Sequence, residues 1–353
     1  LKKKVTISDI AEQSGVSPST VSLILNNKPG VSDETRERVL DVAAELGYPV
    51  RPLTSPNGSN TLLTVGMIVK IDRDILPQAN PFYSKVIMGI EDACRRSGIN
   101  LLFSSLPVDE NNRLLEIPPL MYNESVDGLL LVGVSMDETF AASAGRRTPP
   151  IVLVDGYSST NSYDTVVSDN FGAAYQAVEH LIALGHREIG LAGSCEHCFV
   201  SLRERRNGYL RALKDNGISR PCVANFNINK TKGFEEITTL LQDNPQLTAL
   251  FCVNDDVANA ALRAAHALGR RVPEDLSVIG YDDTYIAANT RPALTTLHVD
   301  TVAMGRAAVR LLALRLETPD ASRMTLTIHP TLVERESVGV APKLPLAKES
   351  IIE

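Results

Sequence analysis

From residue 62 onward, strand-sized apolar runs alternate with longer amphipathic stretches, and that alternation limits the fold more than any other feature of the chain. The runs TVGMIV (64–69), VDGLLLVG (126–133), IVLVDG (151–156), EIGLAG (188–193), TALFCV (248–253) and LSVIGYDD (276–283) are apolar throughout. Strands covered on both faces by helices have this character, as in parallel sheets. Helical periodicity lies between many of them, at 83–96, 171–184, 203–215 and 256–268, and Gly98, Gly185, Gly217 and Gly269 fall where those helices should end. The pattern predicts doubly wound α/β lobes, which bind ligands at the carboxyl ends of their strands.

The first fifty residues follow a different period. Thr6-x-x-Asp9 is a capping-box start, and Ile7, Ile10, Ala11 and Ser14 share one helical face behind it. Gly15-Val16 supplies a turn, and Ser17 caps a second helix with Pro18 at its first position. Val21, Ile24 and Leu25 face inward. A third helix starts near Ser32, buries Val39, Val42, Ala43 and Leu46, and stops at Gly47. Three short helices with a tight first turn make a helix-turn-helix bundle. Residues 49–60, PVRPLTSPNGSN, read as a linker.

Composition excludes several classes. The net charge of −7 gives no bulk attraction to a polyanion. No apolar run approaches the roughly 20 residues of a membrane span, and LKKKVTISD is not a secretory leader, so a cytoplasmic protein without a membrane partner is expected. Five cysteines do not look like a disulfide framework, and reduced thiols are the expectation. Cys195-Glu-His-Cys198 has the spacing of half a metal site or a redox pair; no second CxxC exists, so it is read as structural, with no metal and no cofactor. There is no P-loop, GxSxG, HExxH or GxGxxG, and an enzyme is not expected.

Taken in order and at their spacing, several motifs resemble the LacI/GalR family of bacterial transcriptional repressors over essentially the whole chain. They are VTISDIAEQSGVSPSTVSLILN with VSDETRERVLDVAAELGY, NPFYSKVIMGIE (80–91), DNFGAAYQAVEHLIALGHREIGLAG (169–193), RRNGY (205–209), NDD (254–256), VIGYDD (278–283) and RPALTTLHVD (291–300). The resemblance implies an α/β, periplasmic-binding-protein-like core of two doubly wound lobes behind an all-α headpiece. It divides the chain into a headpiece (1–48), a hinge (49–61), an amino-terminal lobe (62–165 plus 298–323), a carboxy-terminal lobe (166–297 plus 324–341) and a tail (342–353). A homodimer on a pseudo-palindromic double-stranded operator follows by resemblance, because only a short tail, KLPLAKESIIE, stands where some members carry leucine heptads. A small effector between the lobes would shift their closure and so the headpieces. A solute-binding protein with the same core is the other class, disfavoured by the headpiece.

By the same resemblance, Pro18, Ser19 and Leu23 fall on base-reading positions, while Thr6, Ser17, Thr20, Ser22, Asn26, Thr35 and Tyr48 fall on DNA-contacting ones. Many members carry Arg where this chain has Leu23; Arg forks onto guanine, whereas Leu offers only apolar contact, for instance to a thymine methyl. Neutral hydroxyls and helix N-termini can still donate to phosphate, and a capping oxygen that only accepts leaves its proton free. Through residue 60 there are seven Lys/Arg (2, 3, 4, 28, 36, 38, 51) and seven Asp/Glu (9, 12, 33, 34, 37, 41, 45), so the headpiece is neutral and the deficit lies in the core. For the effector, the resemblance implies Arg205 and Asp255, with Asp155 at a strand end, the rings Phe82 and Tyr83, and Phe226. Asp255 is also an N-cap candidate. Carboxylates, an arginine and flat rings suit a sugar, with a purine or nucleoside as the alternative.

The linker departs from the family. Many members place Ala-Arg-x-Leu there and push the Leu into the minor groove; this chain has Thr54-Ser55-Pro56-Asn57 between Pro52 and Gly58. A stable hinge helix is disfavoured by those residues; either Leu53 substitutes as the wedge from an irregular segment or the wedge is not used, and the second reading is preferred. The expected outcome of a circular-permutation assay is therefore no sharp kink at the operator centre, and a central kink would overturn this reading.

Overall fold

The computed structural model describes residues 5–25, 30–46, 48, 62–71, 80–109, 111–123, 125–136, 149–160, 162–228 and 233–342. The linker, Lys2–Lys4, Asn26, Lys28 and the tail lie outside them. The chain divides into two compact units, Leu1–Thr61 and Leu62–Glu353.

In the first unit, α1 (Ile7–Ser14), α2 (Pro18–Leu25) and α3 (Asp33–Glu45) surround a small core of Ile10, Ala11, Val21, Ile24, Val39 and Ala43, all buried. Val42, Leu46 and Tyr48 are half-buried against it. Thr6 forms the expected capping box with Asp9, and Gly15 turns the chain with φ 69°, a left-handed conformation that only glycine adopts at no steric cost.

The second unit holds two parallel sheets. The first uses β1 (Thr64–Ile71), β2 (Asn100–Pro107), β3 (Gly128–Val132), β5 (Ile151–Val154), β7 (Asp164–Ser168) and β13 (Thr325–Ile328), in the order β13-β7-β5-β3-β1-β2. A short parallel pair, β4 (Ser135–Met136) with β6 (Tyr157–Ser158), extends beyond it. The second sheet has the order β11-β10-β8-β9, from β8 (Ile189–Ala192), β9 (Cys222–Ala224), β10 (Ala249–Cys252) and β11 (Ser277–Ile279). Its helices are α5 (Asn170–Ala183), α6 (Val200–Asp215), α7 (Phe234–Asp243), α8 (Asp255–Ala267) and the short α9 (Tyr285–Asn289); the first sheet is flanked by α4 (Pro81–Arg96) and α10 (Thr301–Glu317). β12 (Thr296–His298) pairs antiparallel with β14 (Thr331–Val333). In each sheet the strand order reverses beside the first strand, β1 or β8, which puts a switch-point crevice at the carboxyl ends of β1/β3 and of β8/β10.

Two expected boundaries are corrected. Residues 166–168 complete β7 in the first sheet, where Val166 sits opposite Val154. Residues 324–341 do not go as a block to the second lobe: β13 joins the first sheet alongside β7, while Ser337 pairs with the β11 edge through the bond from Val278 N. The reason is a buried ion pair. Arg315 forks onto Asp164 at 2.6 and 2.8 Å, and it also donates to the carbonyls of Thr318, Pro319, Ala321 and Ser322. The turn after α10 is thus wound around one guanidinium, and Met324 N completes the delivery of β13 by donating to Asp164 at 2.8 Å.

α4 and α10 touch backbone to backbone. A Cβ on Gly89 would lie 2.3 Å from the carbonyl oxygen of Val302, and one on Gly305 would lie 2.4 Å from that of Val86. Gly208 does the same for α5 and α6, where a Cβ would stand 2.3 Å from Phe171 O. Because backbone cannot move aside cheaply, overpacking here should cost on the order of 1–3 kcal/mol or more. We expect Gly305→Leu to lower the urea midpoint of the core, read by circular dichroism, well below that of a surface control such as Arg310→Leu.

Candidate functional site

At the amino end of α2, three hydroxyls form a small cluster. Ser17 Oγ accepts from Thr20 N at 3.1 Å, and it lies 2.7 Å from Ser19 Oγ and 2.8 Å from Thr20 Oγ1. Ser17, Pro18, Ser19 and Leu23 are exposed, while Thr20 and Ser22 are half-buried. Leu23 is among the exposed large apolar side chains at 36%. Thr35 Oγ1 is 2.8 Å from Ser32 Oγ at the start of α3. Thr6 differs from expectation: its hydroxyl is not free to donate outward, because it already donates to Asp9 Oδ2 at 2.7 Å.

The second site is built around Arg205. It projects from α6 at 5% exposure, with its guanidinium 3.6 Å from the centre of the Tyr281 ring. Nε donates to Asn170 Oδ1 at 2.8 Å, one terminal nitrogen donates to Val253 O, and the other lies 3.5 Å from Asp282 Oδ1. Burial alone would weaken its proton affinity; Asp282, Tyr281 and Asp155 more than reverse that, so it stays charged. Asn170 Nδ2 in turn donates to Tyr157 Oη at 3.0 Å, and Tyr157 reaches Glu204 at 3.5 Å. From the first lobe, Tyr83 Oη donates to Asp155 Oδ2 at 2.9 Å, and Phe82 packs edge-on against Tyr83 with centroids 5.3 Å apart. Lys70, buried near the carboxyl end of β1, donates to Asn112 and sits over both Tyr83 and Phe199, a ring of the second lobe.

The carboxyls here are held in apolar surroundings. Burial raises Asp155, Glu204, Asp255 (to about 6) and Asp282 (to about 8), in each case against opposing hydrogen bonds or cations. Asp155 and Asp282 also carry positive φ, 47° and 102°, conformations that cost non-glycine residues about 1–3 kcal/mol and cluster at ligand sites.

Two families match along the chain. Residues 6–49 match the bacterial regulatory proteins of the lacI family, and residues 178–338 match the periplasmic binding protein-like domain. The HTH-type transcriptional repressor PurR of Mannheimia succiniciproducens is 32% identical over 94% of this chain and 98% of its own length. This chain belongs to the lacI family. The ribose operon repressor of Haemophilus influenzae is likewise 32% identical, covering 94% and 98%. Among solved structures, a CelR–cellobiose complex is 29% identical with a TM-score of 0.64, covering 94% and 99%. A lac repressor dimer bound to operator and an anti-inducer is 26% identical with the same score, covering 96% and 100%. As a lacI-family protein, the chain is a DNA-binding transcriptional regulator.

Within that family frame the structure sorts the expected residues. Phe82, Tyr83, Asp155 and Arg205 come together with the network just described. The Phe226 ring is buried against Gly233, where a Cβ would lie 2.0 Å from it. Asp255 is not the cap of α8, a role taken by Asn254, which accepts from Val257 N; the Asp255 carboxylate is buried and accepts from Thr284 N and from the hydroxyls of Thr284 and Thr296. Lys70, Asn170, Glu204, Tyr281 and Asp282 escaped the sequence reading. Two adjacent aspartates after an apolar strand were the available signal for Asp282. Among the described residues no group of His, Cys, Asp or Glu is arranged to hold a metal, and no helix is long and apolar enough to cross a membrane. The expectation of reduced thiols is corrected at one place: Cys195 and Cys198 form a disulfide, because the turn between β8 and α6 brings their Cα atoms to 5.2 Å.

Asp255 gives a pH test. Its folded-state value of about 6 exceeds the ordinary 3.8, so the native state holds an extra proton between about pH 4 and 6. Its contribution to stability is therefore greatest below pH 4 and falls as pH rises through 6, by up to about 3 kcal/mol. Denaturant midpoints measured across that range should fall more steeply with pH for the parent protein than for Asp255→Asn, which keeps an accepting oxygen without the charge.

Proposed function

We propose that this regulator is a repressor that binds as a dimer to a pseudo-palindromic operator and is controlled by a neutral, hydroxyl-rich effector between its lobes. The single observation that carries the effector reading is the convergence of Arg205, Asn170 and Asp282 from one switch-point crevice with Tyr83 and Asp155 from the other. One buried guanidinium and several buried carboxyls offer both donors and acceptors in fixed places, which suits a sugar's vicinal hydroxyls. The CelR–cellobiose neighbour and the ribose operon repressor support a sugar. The PurR relative, together with the adjacent rings of Phe82 and Tyr83, supports a purine as the second reading.

The reading of DNA rests on α2. Its exposed face carries hydroxyls and one leucine, so phosphate contact falls to Ser17 and Thr20 and to the helix N-terminus, while Ser19 and Leu23 face the bases and Leu23 offers a methyl-to-methyl contact with thymine. Effector binding changes lobe closure and thereby operator affinity, and linkage makes the coupling reciprocal.

A thermal-shift screen of sugars, sugar phosphates and purines tests the effector class, since a ligand of the native state raises the midpoint by mass action. We expect a neutral sugar to raise it and Arg205→Ala to abolish the shift; a response to purines alone would replace the sugar reading. For the headpiece, sequences selected from random duplexes should gain a guanine at one position per half-site when Leu23→Arg is compared with the parent. Unchanged selection would remove Leu23 from the base-reading set.

A further inference from the structure

The loop from Gly193 to Phe199 joins β8 to α6, and Phe199 is the N-cap residue of the helix that carries Glu204 and Arg205. The loop is closed on itself by the Cys195–Cys198 disulfide. The two sulfurs are not equivalent. Cys195 is part-exposed, whereas Cys198 is 4% exposed, with its sulfur 3.1 Å from Cys195 N and 3.9 Å from Phe226 O. The remaining thiols, Cys94, Cys222 and Cys252, are free and buried, and burial pushes each of them up, Cys94 to about 11. Buried, raised thiols are inert, so the chain confines its thiol chemistry to one loop.

We propose that Cys195 and Cys198 are a reversible thiol–disulfide site, through which an external dithiol loosens the start of α6 and the contact it makes across the lobes. A DNA-binding regulator works beside the chromosome, where thiols are kept reduced, and disulfides found there are usually exchanging rather than permanent. The exchange follows from the exposures. A thiolate of the reagent attacks Cys195 Sγ, the accessible sulfur, forming a mixed disulfide; the Cys195–Cys198 bond breaks and Cys198 leaves as a thiolate that takes up a proton. The reagent's second thiol then displaces Cys195, so the protein ends with two thiols and the reagent with a disulfide. Cys198 directly precedes the N-cap of a sixteen-residue helix, whose positive end stabilises the departing charge.

The consequence runs through Phe199. Its carbonyl accepts from Leu202 N and Arg203 N in the first turn of α6, and its ring lies 5.6 Å from Lys70 Nζ of β1. Opening the disulfide releases the residue immediately before it, and with it the turn that leads to Arg205. The effect on effector affinity rests on the reading of the cleft given above; the exchange itself does not.

The test uses the full chain, equilibrated over a series of reduced-to-oxidised dithiothreitol ratios, then alkylated and analysed by mass spectrometry. Cys195 and Cys198 should become alkylated together in one transition, with Cys94, Cys222 and Cys252 protected throughout. Amide exchange in residues 199–205 should rise severalfold across the same transition. Cys195→Ser and Cys198→Ala should each exchange like the reduced parent and ignore the oxidant. The proposal is overturned if the pair resists alkylation until the protein unfolds, if it is alkylated even under fully oxidised reagent, or if exchange in 199–205 is the same in both states. Arg205→Ala, which removes effector binding, should leave the thiol transition in place, so failure of the cleft reading and failure of this one are separable.

Discussion

A guanidinium 5% exposed must recover the hydration it has lost, and the second lobe is arranged around that requirement. Arg205 is repaid by a ring face, a side-chain amide, a backbone carbonyl and a carboxylate, each from a different segment: Tyr281 and Asp282 after β11, Asn170 at the start of α5, and Val253 after β10. None of those segments can shift without leaving a buried polar group short of partners. The same charge opposes, without overcoming, the burial that raises Asp282 to about 8. A ligand that supplies hydroxyls to these groups enters a site already assembled, so little of its binding energy goes into ordering side chains.

Local physics explains what could be read from sequence. The headpiece was legible almost residue by residue, because caps, a Pro at a first helical position and a 3.6-residue period act over distances of a few residues: Thr6, Ser17, Val21 and Ile24 all behave as their spacing requires. The apolar runs gave most central strands for the same reason. β13 was not legible, since TLTI is a largely exposed edge strand whose partner lies about 160 residues earlier, and nothing local marks the Arg315–Asp164 pair that sets it there. Lys70 was hidden within an apolar run, and Asp255 looked like a cap because a cap and a buried acceptor occupy neighbouring positions, Asn254 and Asp255. The pairing of Cys195 with Cys198 depends on the turn that joins them, which their spacing alone does not specify.

The uncharged face of α2 finds a physical account in the same terms. Ser17 Oγ lies 2.7 Å from the Ser19 hydroxyl and 2.8 Å from that of Thr20, so these hydroxyls are pre-set relative to the helix N-terminus rather than left to rotate freely. Pre-set neutral donors lose less entropy on meeting a phosphate than long flexible cations do, and they are less weakened by salt. Thr6 contributes differently, because its proton is tied to Asp9 and its role in this structure is to fix the start of α1.

The position of β13 also orders events in time. Every strand of the second sheet lies between residues 189 and 279, so a ribosome releases that sheet complete while the first is still missing an edge. The first lobe begins the chain's α/β portion with β1 and is finished only when residues 325–328 arrive, more than 250 residues later. Most of the second lobe is thus made before the first is finished, and nascent chains must keep β7 from pairing wrongly along that open edge until synthesis is nearly over.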